Sequence, residues 1–129
     1  MKKTDNKGFS LVELIIVIAI MVILVAVIAP QYTKFVKNSK ISSDINTAAD
    51  ISTAINVAFA EGNAVSYDST NKKLVNVPNL PALPASKVDS SFEWGFTFDA
   101  TSGELTKIEL GGKEVWPTAD TYKSANGYK

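Results

Sequence analysis

The chain has no cysteine and no histidine among its 129 residues. Lacking cysteine, it has no disulfide, no thiol redox chemistry and no thiolate metal site. An exported domain built this way must hold together without covalent staples. Lacking histidine, it is without the commonest general base and the commonest metal ligand. Excess charge is missing as well: 13 lysines balance 13 acids. Bulk electrostatics therefore point to neither nucleic acid nor strong self-repulsion. The length suits one domain.

The N-terminal quarter has no such balance. The first eight residues hold Lys2, Lys3, Lys7 and Asp5, a net +2, which leaves −2 on the other 121. From Leu14 to Ala29 no side chain is polar, and counting back to Phe9 adds only Ser10 and Glu13 as interruptions. About 20 apolar residues cross a bilayer as a helix, and helix is the form a single spanning segment must take. A secretory signal peptide has the same basic start and apolar core, but this run is long for one and carries Glu13 at its N-terminal edge. No small-x-small cleavage site comes after it. A plain single-pass anchor would place the basic residues inside and would gain nothing from Glu13.

A carboxylate at the edge of a membrane-grade helix is costly unless it meets a cation. A cut between Gly8 and Phe9 would create one, the α-amine of Phe9, four residues from Glu13. Between neighbouring chains such a pair would set register, because a misaligned buried charge costs more than a misplaced methyl.

Lys7-Gly8-Phe9-Ser10-Leu11-Val12-Glu13 resembles the processing site of type IV prepilins. Leu14 to Ala29, then Pro30-Gln31-Tyr32, resembles the continuation of the helix in major type IV pilins of the type IVa kind. The resemblance covers about the first quarter of the chain. It implies a leader, residues 1–8, removed by a membrane prepilin peptidase that then N-methylates Phe9. It implies that Glu13 acts in assembly by pairing with the Phe9 amine of a neighbour. Residues 9–29 would be a transmembrane helix that becomes the filament core, and 30–129 the globular domain outside the cytoplasmic membrane. The partners implied are further copies of the chain in a helical homopolymer, the peptidase, an inner-membrane assembly platform with its ATPase, and lipid before assembly. The product would be a cell-surface pilus, whether for adhesion, twitching motility, biofilm or DNA uptake. Two other readings share parts of the pattern: a pseudopilin of a secretion or competence apparatus, and a membrane-anchored binding domain that never polymerises. One departure is Val22, where many members have a mid-helix glycine.

Pro30 removes a backbone donor and clashes with the preceding turn, so it is expected to kink or weaken the helix there, or to end it. Beyond it Ile41, Ile45, Ala48, Ile51, Ile55 and Phe59 recur at helical spacing, with Lys40, Ser43, Asp44, Asn46, Thr47, Asp50 and Asn56 assigned to the polar side. Gly62 supplies a helix stop. Lys34, Lys37 and Lys40 read as a solvated interfacial face, or as contacts to anionic headgroups or to acids of a neighbour such as Asp44 or Asp50.

The remainder predicts an α+β fold, the helix of about 30–61 packed on an antiparallel sheet of about 92–116. Three prolines between Pro78 and Pro84 exclude helix there. Tyr67 and Lys72–Val75 suggest a short strand or a loop arm. Phe92, Trp94, Phe96 and Phe98 alternate with Glu93, Gly95 and Thr97, a strand with one buried face. Such burial argues against stacking on bases or sugars, and direct binding of nucleic acid is not expected. Asp99–Gly103 reads as a hairpin loop, Leu105–Leu110 as the return strand, Gly111-Gly112 as a turn and Lys113–Trp116 as a third strand. The tail from Thr118, with Tyr122 and Tyr128, is either held by its aromatics or loose. Asp99, Ser102 and Glu104 around Gly103 lack the twelve-residue calcium-loop pattern. No cofactor, no metal and no catalytic set is predicted, so the chain does not read as an enzyme.

Overall fold

The computed structural model describes residues 8, 10–78, 80 and 82–128. It contains α1 (Leu11–Ala60), β1 (Ser66–Asp68), β2 (Lys73–Val75), β3 (Trp94–Phe98), β4 (Leu105–Leu110), β5 (Lys113–Trp116) and α2 (Asp120–Ala125). The chain divides into two compact units, residues 1–36 and 37–129. The expected α+β architecture is observed: a long helix whose second half packs on a small antiparallel sheet.

Helix α1 starts on a reciprocal cap. The Glu13 N–H donates to Ser10 Oγ, and the Ser10 N–H donates to Glu13 Oε2, both at 3.3 Å. This is a capping box, which satisfies two donors that the first helical turn leaves unpaired. The helix runs on through Pro30 without interruption, so the proline does not end it. Near it, Thr33 Oγ1 donates to the Ala29 carbonyl at 2.9 Å. The helix stops at Gly62, which has φ +92. The Asn63 N–H bonds the Ala58 carbonyl and the Gly62 N–H the Phe59 carbonyl, both at 3.0 Å. That is a Schellman motif, and the left-handed residue it needs is cheapest as glycine.

In the second unit the helix buries Ile41, Ala48, Ile51, Ile55 and Ala58. Against them lie Trp94, Leu105, Ile108, Leu110 and Val115 of the three-stranded sheet, ordered β3-β4-β5. The strands pair with Phe96 opposite Ile108 and Glu109 opposite Glu114. The β4–β5 turn places both Gly111 (φ +62) and Gly112 (φ +80) in left-handed geometry, the requirement of a type I′ hairpin. Tyr67 and Leu74 sit on a separate two-stranded hairpin, β1–β2. Tyr67 lies 5.0 Å from Phe96, ring to ring.

Three expectations are corrected by the structure. The aromatic row of β3 is not uniformly buried: Trp94 is, while Phe92, Phe96 and Phe98 are half-buried on the rim of the core. Phe59 is likewise half-buried, with Ala58 taking the inner position.

The third correction concerns Asp44. It belongs to the buried stripe and not to the polar side, being 1% exposed. Its carboxylate accepts from Ser86 Oγ (2.6 Å), the Lys87 N–H (2.7 Å), the Val88 N–H (3.3 Å) and Tyr122 Oη (2.6 Å). Four donors from two distant segments replace the lost hydration, the condition under which a buried charge is tolerated. Tyr122 is fully buried. Burial, and then its bond to Asp44, push its hydroxyl above the usual tyrosine value of 10.0. The tail is therefore held, by one aromatic side chain on α2. That short helix ends at Gly127 (φ +75), where the Tyr128 N–H bonds the Lys123 carbonyl at 2.9 Å.

Candidate functional site

The residues singled out for processing and assembly fall at the start of the first unit. Gly8 is exposed and takes φ +154, a conformation that side-chain-bearing residues rarely adopt. Phe9 lies outside the described residues. Glu13 is exposed on the third position of α1, held by the Ser10 cap. A carboxylate offers about four acceptor positions, so this bond leaves capacity for a cationic partner. The signal for the cap is in the sequence, Ser10-Leu11-Val12-Glu13 directly before an apolar run. Sequence reasoning that weighs Glu13 only as a charge misses it.

From Leu11 to Ile28 every large apolar side chain is exposed, between 46% at Leu14 and 74% at Leu11. The surface continues past Pro30 with Tyr32 and Phe35, 65% and 69% exposed. Soluble monomers rarely show contiguous apolar patches above a few hundred Å². This segment is long and apolar enough to cross a membrane. A surface of this kind must be covered by lipid or by protein.

Elsewhere, open clefts lie among the described residues of the second unit. One, of about 510 Å³, runs along Lys73–Pro78 and Leu80. Another, of about 450 Å³, lies between Tyr67, Pro84, Phe92 and Trp94, with the Lys72–Glu93 ion pair at its edge. Trp94 is committed there, its Nε1–H donating to the Pro84 carbonyl at 2.8 Å. The Asp99 turn closes on itself: Oδ1 accepts the Thr101 and Ser102 N–H groups at 2.7 and 2.8 Å. These two bonds hold the Asp99 carboxyl below its ordinary value. Among the described residues, no group of three or more His, Cys, Asp or Glu could hold a metal ion.

The family description "Prokaryotic N-terminal methylation motif" matches residues 3–29. The chain is 32% identical to the type IV major fimbrial protein FimA of Dichelobacter nodosus, over 92% of this chain and 84% of that protein. The chain belongs to the type IV pilin family. It is also 41% identical to fimbrial protein Q of Moraxella bovis, over 95% of this chain and 69% of that protein. A fimbrial protein of Pseudomonas aeruginosa is 35% identical over 89% of this chain, which spans only 60% of its length. No solved structure matches the chain. The general role is that of a pilin subunit, and in this member the domain is closed without cysteine.

Proposed function

We propose that this chain is a polymerising subunit of a type IV pilus, assembled through its N-terminal helix into a cell-surface filament. Residues 1–8 are a leader cut after Gly8, and Phe9 becomes a methylated N-terminus. Residues 9–29 are a membrane span that later forms the filament core, and 30–129 are the outward domain. The partners are prepilin peptidase, the inner-membrane assembly platform with its ATPase, and other copies of the chain.

One observation carries this reading. An exposed apolar helix surface from Leu11 to Ile28 carries a single carboxylate, Glu13, five positions after Gly8 in the sequence. Adhesion between such helices is unspecific in register, whereas an ion pair between Glu13 and a neighbour's Phe9 amine fixes it. The capping box offers a rival explanation for Glu13, and Glu13→Gln separates the two. Glutamine serves in a capping box as well as glutamate but carries no charge. In a strain expressing only Glu13→Gln, normal processing with loss of surface filaments supports the register role. Filaments at wild-type yield would reduce Glu13 to a helix cap and overturn the assembly reading.

A further inference from the structure

The fold gathers lysines at one end of the second unit. Lys37 and Lys40 lie one turn apart on α1 and are exposed. The Lys37 ammonium reaches the tail: a Cβ on Gly127 would stand 2.9 Å from its Nζ. The next residue, Tyr128, is 39% exposed, and Lys123 sits 5.0 Å over its ring. The Tyr122–Asp44 bond keeps α2, and so Lys123, in this position. Among the described residues, the ion pairs are Lys72–Glu93 and Lys107–Glu109, and none of these three lysines joins one. On α1 no acid occurs between Glu13 and Asp44, and Asp44 is buried and bound, while on α2 the one acid is Asp120, exposed in the first turn. The unit as a whole, residues 37–129, carries 9 lysines and 11 acids. Its basic end is thus a local departure from a net negative domain.

We propose that this end, formed by Lys37, Lys40, Lys123 and the ring of Tyr128, is a docking surface for anionic lipid headgroups that holds the subunit against the membrane before assembly. The inference rests on the reading of residues 9–29 as a membrane span. Lys37 is nine positions after Ile28 in the sequence, a reach of at most about 32 Å, so docking is an intramolecular event. Contacts too weak for a free domain then suffice, because tethering raises the effective concentration of the surface. Lysine ammoniums near an anionic leaflet favour docking by about fivefold each at low salt, and a tyrosine ring suits the headgroup level. A neighbouring protein's acids would be the other occupant. Position favours lipid, since the basic end begins within ten residues of the span in sequence, whereas a neighbour's acids are reached only by association.

The test uses the full chain in vesicles. With no native cysteine, Ala125→Cys on α2 gives a single site for an environment-sensitive dye. Flotation first shows insertion into neutral phosphatidylcholine vesicles and into vesicles with 30% phosphatidylglycerol. The expected result is a docked-to-undocked ratio roughly a hundredfold higher in the anionic vesicles at low salt, lost at high salt. Lys37→Gln, Lys40→Gln and Lys123→Gln should each lower it about fivefold, while Lys107→Gln leaves it unchanged. An unchanged dye signal in chains that float in both vesicles overturns the proposal and spares the span. A signal that tracks protein-to-lipid ratio instead of lipid charge also overturns it, assigning the surface to another copy. Failure to float in either vesicle removes the span and this proposal together.

Discussion

Tyr122→Phe deletes one oxygen and leaves the ring that fills the core beside Phe92, 6.4 Å away in an edge-on contact. What is lost is the 2.6 Å bond to Asp44. Hydrogen bonds to charged groups contribute about 1.5–3 kcal/mol, and Asp44 keeps its bonds from Ser86, Lys87 and Val88. The expected loss is about 2 kcal/mol, a sizeable part of the roughly 5–15 kcal/mol that stabilises a domain. Asp44→Ala should cost more, about 3–5 kcal/mol, because it removes the acceptor of two buried hydroxyls, Ser86 and Tyr122, and of the Lys87 N–H at once. Asp44→Asn lies between: Ser86 and Tyr122 hydroxyls can turn to accept from the amide, whereas the Lys87 and Val88 N–H groups cannot. Urea unfolding of the full chain in detergent micelles, monitored by the fluorescence of Trp94 and Trp116, measures each loss. The Tyr122→Phe, Asp44→Asn double variant should lose less than the sum of the singles, as expected for residues in direct contact. A loss below about 0.5 kcal/mol for Tyr122→Phe, or strict additivity in the cycle, would refute the account of the tail as held through Asp44.

The same bond has an alkaline signature. Because the folded state raises the Tyr122 pKa above 10.0, its contribution is complete below pH 10 and is lost as pH rises above it. Ultraviolet titration should show Tyr122 ionising only together with unfolding, and Tyr122→Phe should flatten the alkaline fall in stability. Gly111→Ala should cost more than Gly112→Ala. Both impose left-handed strain of about 1–2 kcal/mol, but only at Gly111 would the new Cβ meet a ring, 2.8 Å from Phe92 Cγ. Urea midpoints compare the two. Ser10→Ala removes the helix cap and should cost about 1 kcal/mol, visible as faster amide exchange confined to the first turn of α1.

Much of the fold is legible in the sequence because it is periodic. Alternation in Phe92–Phe98 and the glycine pair at 111–112 locate β3, β4, β5 and their turn, and Gly62 marks the helix stop. The three-to-four spacing from Ile41 marks the core face. That spacing also holds the clue to Asp44, which stands three residues after Ile41 and four before Ala48 and so lies on the buried stripe. Its polarity argues it outward, since the partners that make burial tolerable are 42 to 78 residues away. Helix α2 escapes the sequence for a related reason. Six residues are too few to show a period or to form a stable helix alone, and what holds them is a tertiary contact through Tyr122. The processing motif is legible locally. The cap that shares Glu13 with it is just as local, but the carboxylate's cost in lipid outweighs it as a signal.

The measurement that reaches the central claim most directly is the intact mass, with N-terminal fragmentation, of protein sheared from the cell surface. A chain beginning at N-methylated Phe9 and recovered in the filament fraction is the predicted result. Full-length protein beginning at Met1 and confined to the membrane fraction would contradict it.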